Sequence, residues 1–317
     1  MNFLCALILL VSLSFTSAAQ VVLGTTYRRP SPPPVAPGQL TTFIVSGLTA
    51  SVGADAATLP LPTTLNGVSA VLRQFNSTPP VAAPILSVHP LSSCNPSLFP
   101  GTVCNSAAAV TVQIPFELVG SAPGLLSGPN LANITFLEKD NPVASFDLRA
   151  DTDAIHVITD CDALVPASTN ASNGLCDELV THADGSPVLG KPAVPGETVI
   201  IYAFGLGAVT PLPADGAAAT GAAAVTGPFA VHVELAPNAR PLRLPWPAIS
   251  KPAGSFEKPA YAGLVPGSVG LYQVNVVIPP VPNDLSPCGP GVYSNLTVTL
   301  VGWSSTDGAA FCVAPSH

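Results

Sequence analysis

The stretch that decides the fold is Val35-Ala-Pro-Gly-Gln-Leu-Thr-Thr-Phe-Ile-Val-Ser-Gly-Leu48. A similar stretch, Val194-Pro-Gly-Glu-Thr-Val-Ile-Ile-Tyr-Ala-Phe-Gly-Leu206, follows 158 residues later. In both, a Pro-Gly turn precedes a run rich in Thr, Val, Ile and aromatic residues, and a Gly-Leu turn ends it. Two later pairs recur in the same order: Val110–Pro115 with Val274–Pro279, and Asn133–Thr135 with Asn295–Thr297. Internal repeats decide architecture before other signals, so the sequence predicts two diverged copies of one β-domain.

Composition also predicts strands. The chain holds 37 prolines and 26 glycines, and proline removes a backbone donor and breaks helix interiors. Short β-branched runs between turn residues, at intervals of about 8–12 residues, are typical of sandwiches and barrels. We therefore expect an all-β protein with two tandem domains, each a sandwich or a barrel.

The N-terminus predicts export. Phe3 to Phe15 is apolar but too short to span a bilayer, and Ser17-Ala18-Ala19 fits a signal-peptidase site. The alternative is an uncleaved N-terminal anchor. The predicted organisation is a signal peptide (1–19), an extended Pro-rich arm outside the core (20–36), a first sandwich (37–158), a disulfide-pinned connector (159–191) and a second sandwich (192–317).

Twelve strands are predicted, six in each copy, with a long irregular loop over Pro211–Thr226. The first six are Gln39–Ser46, Leu65–Leu72, Ile85–Val88, Ala107–Ile114, Ala132–Glu138 and Val143–Arg149. The second six are Glu197–Phe204, Ala230–Leu235, Ala260–Leu264, Tyr272–Ile278, Ser294–Val301 and Ala309–Val313.

Six cysteines follow the signal peptide, and an even number in an exported chain indicates disulfides. Six cysteines allow 15 pairings. Their spacing favours neighbours, and neither CxxC spacing nor a nearby histidine supports a metal site. The predicted pairs are Cys94–Cys104, Cys161–Cys176 and Cys288–Cys312.

Charge argues against nucleic acid as a partner. The net charge is −8, and only 9% of residues are charged. Apart from Arg28-Arg29 no basic cluster occurs. Gly205-Leu-Gly207 follows an apolar strand, but the third glycine of a dinucleotide loop is missing and prolines follow. We expect a turn there and no cofactor.

Several segments together resemble a known module: Leu61-Pro-Thr-Thr-Leu-Asn-Gly-Val-Ser69, Asp184-Gly185, Pro192–Glu197, Tyr202–Gly207 and Tyr261-Ala-Gly-Leu-Val-Pro-Gly-Ser-Val-Gly-Leu-Tyr-Gln-Val-Asn275. The module is the Solibacter-type C-terminal domain family of uncharacterised secreted bacterial proteins. The resemblance covers about residues 35–300. It implies tandem Ig-like sandwiches of the IPT/TIG kind and supplies no catalytic residue. The chain departs from the family pattern at Ile85–Pro90 and in its cysteines.

Catalytic motifs are missing from the sequence. It contains no G-x-S-x-G elbow, and its five histidines are scattered. His182, beside Asp184-Gly185, is the one histidine that could belong to a site. We expect no catalytic centre, and a main pocket at the domain junction or under the Pro211–Thr226 loop, lined by Ala, Val, Pro and backbone.

Three further features have both a binding and a structural interpretation. An acidic cluster at the predicted junction offers oxygen ligands for Ca²⁺ but is not an EF-hand, and a solvated linker is the alternative. Trp246 and Tyr261 could form a sugar-stacking platform or pack on the sandwich. Asn76, Asn133, Asn170 and Asn295 lie in N-x-S/T sequons. The acidic cluster comprises Asp147, Asp151, Asp153, Asp160 and Asp162.

The combined expectation is a secreted, non-enzymatic module for adhesion or surface interaction, located outside the cell or at its surface. Its partner would be a protein or glycan at the cell surface, and the mature chain would carry no membrane span. The alternatives are an extracellular carbohydrate-binding protein that uses Trp246 or Tyr261, and an exported hydrolase with an unrecognised site.

Overall fold

The computed structural model describes residues 22–23, 32–49, 52–74, 79–91, 107–121, 131–160, 162, 177–239 and 255–314. Within these ranges the chain forms strands and turns, and none of them contains a helix. The predicted all-β class is therefore confirmed. No helix in the described part of the chain is long and apolar enough to cross a bilayer.

The first half of the chain comprises β1 to β11. One sheet has the order β1-β3-β9-β8-β4, and the other has the order β2-β11-β10-β6-β5 with β7 paired to β6. The strands are β1 (Val22–Leu23), β2 (Pro34–Val35), β3 (Leu40–Ser46), β4 (Ala54–Asp55), β5 (Thr64–Leu65), β6 (Val68–Gln74), β7 (Val81–Ala82), β8 (Ile85–Pro90), β9 (Ala107–Gln113), β10 (Leu131–Glu138) and β11 (Asn141–Ala150).

The two sheets of the first half pack face to face. Along β10 the buried Ile134 and Phe136 alternate with more exposed residues, as expected for a strand with one face on a core. Phe43 of the first sheet lies 5.3 Å, ring centre to ring centre, from both Phe136 and Phe146 of the second sheet. These rings form the centre of a continuous apolar core.

The second half comprises β12 to β21. Its larger sheet has the order β12-β14-β19-β18-β16-β15 with β13 paired to β14, and its smaller sheet has the order β17-β20-β21. The strands are β12 (His156–Val157), β13 (Val180–His182), β14 (Thr198–Phe204), β15 (Val209–Thr210), β16 (Ala223–Val225), β17 (Ala230–Glu234), β18 (Tyr261–Leu264), β19 (Tyr272–Val277), β20 (Leu296–Val301) and β21 (Thr306–Phe311).

A second core fills the second half. It joins residues of the larger sheet, such as Ile201 and Val274, to residues of the smaller sheet, such as Leu300. Tyr272 is fully buried there, and its hydroxyl donates a 2.6 Å hydrogen bond to the Gly207 carbonyl. That bond satisfies the one polar atom of a large buried side chain and holds the turn after β14.

The two halves share one strand order, as the repeat predicts. The path β3-β9-β8-β4 matches β14-β19-β18-β16, and β11-β10-β6 matches β21-β20-β17. The Pro-Gly turns also match in detail. The Ala36 amide donates to the Gln39 side chain at 2.9 Å, and the Val194 amide donates to the Glu197 side chain at 2.9 Å. The prediction of a repeated topology is confirmed.

The prediction that residues 20–36 stay outside the core is wrong at the end of that segment. β2 pairs with β11, and Val35 and Ala36 are fully buried because they lie between the two sheets. β1 also belongs to the repeat. Val22 pairs with Phe43, and Val180 pairs with Ile201 in the second half. Each residue of the first pair is 158 residues from its counterpart, so β1 corresponds to β13.

Two other expectations need correction. β12 pairs with β14, so His156–Val157 lies in a sheet of the second half although we placed it in the first sandwich. The backbone of β12 hydrogen-bonds to an edge of β14 that would be unpaired there if this segment were only a linker. The Pro211–Thr226 loop is not irregular throughout, because β16 lies within it and pairs with β15 and β18.

One disulfide joins Cys288 and Cys312, with 6.0 Å between the Cα atoms. It is one of the three pairs that the spacing favours, and it is consistent with an extracellular location. The other four cysteines lie outside the described residues.

Candidate functional site

The two halves meet along a contact held by hydrogen bonds from backbone amides. The Gly216 amide donates to the Gln113 side chain at 2.6 Å, and the Leu61 amide donates to the Gly216 carbonyl at 2.8 Å. Nearby, the Phe116 amide donates to the Asp215 carboxylate at 2.9 Å. The segment around Gly216 of the second half is thus held against the first half at three points.

Asp215 is the ionisable group most changed by this contact. Burial raises the pKa of Asp215 to about 6, the hydrogen bond from Phe116 lowers it, and the neighbouring Glu117 carboxyl raises it further. This acidic pair crosses the junction. Since Asp215 accepts the Phe116 amide, its role in this geometry is to hold the junction.

A cleft of about 560 Å³ opens at the same junction. Phe116 and Leu118 of the first half line one side, and Leu206 and Leu212 of the second half line the other. Trp303, on the turn between β20 and β21, completes the rim. Leu212 and Trp303 are 59% and 55% exposed. We call this the junction cleft. It lies at one of the two places predicted for the main pocket, but Phe, Leu and Trp side chains line it in addition to the predicted Ala, Val and Pro.

The turn that carries Trp303 is held by one carboxylate. Asp153 accepts hydrogen bonds from the backbone amides of Trp303, Ser304 and Ser305 at 2.7, 2.9 and 2.8 Å. It also accepts the Ser305 hydroxyl at 2.6 Å. Because these donors occupy both oxygens, Asp153 serves as an anchor for the turn and is not left to bind a ligand or a cation.

The turn after β14 forms the floor beside this anchor. Gly207 has a φ of +87°, and a Cβ built on it would lie 2.2 Å from the Thr152 carbonyl oxygen. The Ala154 amide donates to the Gly205 carbonyl at 2.8 Å. Gly205-Leu-Gly207 is therefore a tight turn against the backbone of Thr152 to Ala154, the linking segment between the two halves.

The aspartates proposed for Ca²⁺ do not converge. Within the described ranges no three His, Cys, Asp or Glu side chains form a group that could hold a metal ion. Each aspartate has a separate structural partner, because the chain turns between them. Asp147 accepts from Asn133, Asp151 pairs with Arg149, Asp153 binds the Trp303 turn, Asp160 accepts from the Asp177 amide, and Asp162 pairs with His156.

His182 does not form a catalytic pair with a serine. Its Nδ1 lies 2.6 Å from Glu197 Oε1, and its Nε2 lies 3.0 Å from the Lys191 carbonyl oxygen. These two acceptors occupy both ring nitrogens, so neither is left to activate a nucleophile. Glu197 also closes the repeated Pro-Gly turn, which gives the pair a structural role.

His156 forms an arrangement that the sequence did not indicate. Its Nε2 lies 3.0 Å from Asp162 and its Nδ1 lies 3.7 Å from Asp307, and all three side chains are almost fully buried. Asp307 also accepts the Val157 amide at 2.7 Å. Through these contacts the three side chains hold β12 against β21 in the protein interior. Their burial favours a structural role over catalysis.

A second cleft of about 280 Å³ lies beside the Cys288–Cys312 disulfide. Asp177 and the exposed Tyr293 line it. Burial raises the pKa of Asp177, and the charge of Asp160 raises it further. Its acidic wall contrasts with the apolar wall of the junction cleft.

The two aromatic residues predicted to contact a ligand have different outcomes. Trp246 lies outside the described residues. Tyr261 is partly buried, and its hydroxyl donates to the Leu264 carbonyl at 3.1 Å; burial also raises the pKa of Tyr261. Trp303 was missed as a site residue because its cleft partners lie far away in the sequence. Its only sequence signal was that it is one of two tryptophans.

The sequons also differ. Asn295 is fully buried, and its side-chain amide donates to the carbonyls of Ser286 and Val313, both at 2.9 Å. It is therefore inaccessible to a glycan-transferring enzyme in the folded protein. Asn133 donates to Asp147 at 3.0 Å, and Asn76 and Asn170 lie outside the described residues.

Comparisons with known proteins add little to this geometry. No family model matches the sequence, and no curated protein matches it. Among solved structures, FdeC, an adhesin of Escherichia coli, is similar at 11% sequence identity and a TM-score of 0.21. The alignment covers 94% of this chain and 65% of the FdeC chain. The Solibacter-type resemblance thus stays an expectation, and the likeness to FdeC is a distant one.

Proposed function

We propose that this protein is a secreted, non-enzymatic module of two Ig-like sandwiches that binds an extracellular partner through the junction cleft. The observation that carries the proposal is the exposed apolar rim formed by Trp303 and Leu212 around an open cavity. Concave apolar sites with a few polar groups are typical binding sites, and exposed apolar patches mark interaction surfaces.

The polar groups around the cleft support binding rather than chemistry. Asp153 is saturated by backbone and hydroxyl donors. Asp215 accepts the Phe116 amide behind the cleft wall. Catalysis needs a positioned acid, base or nucleophile that can reach the substrate. In this geometry these two carboxyl groups maintain the walls of the cleft.

The fold supports a rigid binding surface. The β14 turn, the linking segment and the Trp303 turn are joined by hydrogen bonds, so the cleft is formed before a partner arrives. Preformed sites lose less conformational entropy on binding than flexible ones.

The test is a binding assay with a charge placed in the rim. Mature protein is applied to immobilised extracellular-matrix proteins, mucin and bacterial cell-wall preparations. Leu212→Glu should abolish any binding shown by the wild type, because an apolar partner surface would have to bury a charge. Val277→Glu is the matched control, since Val277 is also exposed but does not line the cleft. Binding that survives Leu212→Glu would contradict the proposal.

A second measurement tests the non-enzymatic part. Chromogenic ester, glycoside and peptide substrates are incubated with purified wild type and with the Leu212→Glu variant. We expect turnover equal to the buffer blank for both. Turnover that copurifies with the wild type would establish the hydrolase alternative instead.

A further inference from the structure

We propose that the junction cleft binds a neutral saccharide, with one sugar ring stacked on Trp303. This inference rests on the proposed function, since it names the class of ligand for the same cleft. Three observations carry it: the presentation of the indole ring, the charge of the lining and the hydroxyl groups at the mouth.

The indole stands on a turn that hydrogen bonds hold in place. Trp303 is 55% exposed, yet its backbone amide donates a 2.7 Å hydrogen bond to Asp153. Thr152 and Ser304 hydroxyl oxygens lie 2.6 Å apart, which fastens the same turn a second time. An exposed aromatic ring on a fixed turn offers a flat apolar face, and this is the surface that the C–H face of a pyranose ring covers.

The lining selects against charged ligands. Among the residues that the structure describes, Asp153 is the only ionisable one that lines the cleft, and its oxygens already accept four hydrogen bonds from the Trp303 turn. A sulfated or uronic sugar would lose hydration without meeting a cation. A cationic ligand would meet a carboxylate that is already saturated. The cleft therefore fits an uncharged ligand.

Hydroxyl groups at the mouth favour a sugar over a purely apolar partner. Thr152, Thr210 and Thr226 line the cleft. The Thr226 hydroxyl donates to the Ala208 carbonyl at 3.1 Å, so its oxygen lone pairs remain able to accept a hydroxyl from a ligand. A saccharide can use the apolar platform and these oxygens together, whereas an apolar peptide would cover them without hydrogen bonds.

The test is binding to defined neutral oligosaccharides. Cellohexaose, chitohexaose, laminarihexaose and mannohexaose are titrated calorimetrically into the mature protein, with a heparin oligosaccharide and polygalacturonate as charged probes. At least one neutral probe should bind and neither charged probe should. Trp303→Ala should weaken that binding about tenfold, whereas Trp303→Phe should weaken it less because it keeps an aromatic face. Tyr293→Ala is the matched control, since Tyr293 is 58% exposed and lies at the other cleft.

A second readout does not depend on the Ala variant folding. The chain has two tryptophans, so Trp246→Phe leaves Trp303 as the sole tryptophan. Its fluorescence should change on addition of the sugar that binds. Three results would overturn the inference: no neutral probe binding at millimolar concentration, preference for a charged probe, or binding unaffected by Trp303→Ala. If Leu212→Glu still abolished binding to a protein partner, the proposed function would stand and only the saccharide assignment would fail.

Discussion

Replacing Asp153 by Asn should destabilise the protein strongly although it exchanges only one oxygen atom for an NH₂ group. One carboxylate oxygen accepts the amides of Trp303 and Ser304, and the other accepts the amide and hydroxyl of Ser305. Asn keeps a single acceptor oxygen, and its NH₂ group would face donors in place of the other. At least one N–H group of this partly buried turn would then lose its partner.

The expected loss follows from these bonds. An unsatisfied buried donor costs about 1–3 kcal/mol, and hydrogen bonds to a neutral acceptor are weaker than those to a charged one by about 1 kcal/mol. The sum is about 3 kcal/mol, a large effect for one side chain because Asp153 is only 4% exposed. The decrease in the free energy of unfolding should affect the second half, which carries the Trp303 turn.

The assay is urea denaturation at pH 7, followed by tryptophan fluorescence, with the slope against urea compared between variants. Asp284→Asn is the matched control, because Asp284 is exposed, and it should change the free energy of unfolding by less than about 0.5 kcal/mol. A loss below about 1 kcal/mol for Asp153→Asn would refute the assignment of Asp153 as the anchor of the turn.

Three further predictions concern the junction, the backbone and the disulfide. Because burial raises the pKa of Asp215 to about 6, the folded protein holds that proton more tightly than the unfolded chain, and stability from this group is lost as pH rises from about 4 to 6. Asp215→Asn should therefore stabilise the protein at pH 7.5 by on the order of 1 kcal/mol, after allowance for solvent screening. At pH 4 the same substitution should change the stability little. Equal effects at both pH values in thermal scans would contradict this. Gly207→Ala should lower the free energy of unfolding by about 3 kcal/mol or more, because of its positive φ and the contact of the added Cβ with the backbone. Gly221→Ala should be nearly neutral, since no atom lies within 4 Å of its added Cβ. Similar melting temperatures for the two variants would disprove the backbone argument. The double variant Cys288→Ser, Cys312→Ser should lose about 3 kcal/mol by the loop-closure estimate. Reduction should lower the melting temperature of the wild type at least as far, since it would also break the other two predicted disulfides, and a variant that melts at the temperature of the oxidised wild type would contradict the estimate.

The repeat made most of the fold predictable. Pro-Gly turns and β-branched runs have local causes, so the strands and their repeated order could be recognised along the chain. β1 was missed because Val22 and Leu23 share a register with Val180 and Thr181 but little sequence. Strand pairing is formed by main-chain atoms, so the order of the side chains gives little sign of it.

The site was less predictable because its contacts are long-range. Asp153 was proposed as a Ca²⁺ ligand in an acidic cluster, but it accepts hydrogen bonds from backbone amides 150 to 152 residues away. No side-chain pattern distinguishes a carboxylate that binds a metal from one that binds a turn. Trp303 could be assigned to the cleft only once the structure showed its turn beside residues of the other half.

The pairing of β12 and β13 with β14 determines where the chain can be divided. A fragment that started at Pro192 would lack both strands and would expose one edge of β14, including the Tyr202 backbone groups that bond Leu179 and Ile158. A bare edge strand templates pairing with other chains. Such a fragment would self-associate, whereas a fragment that started at Asp151 would include its own edge strands and the carboxylate that anchors the Trp303 turn.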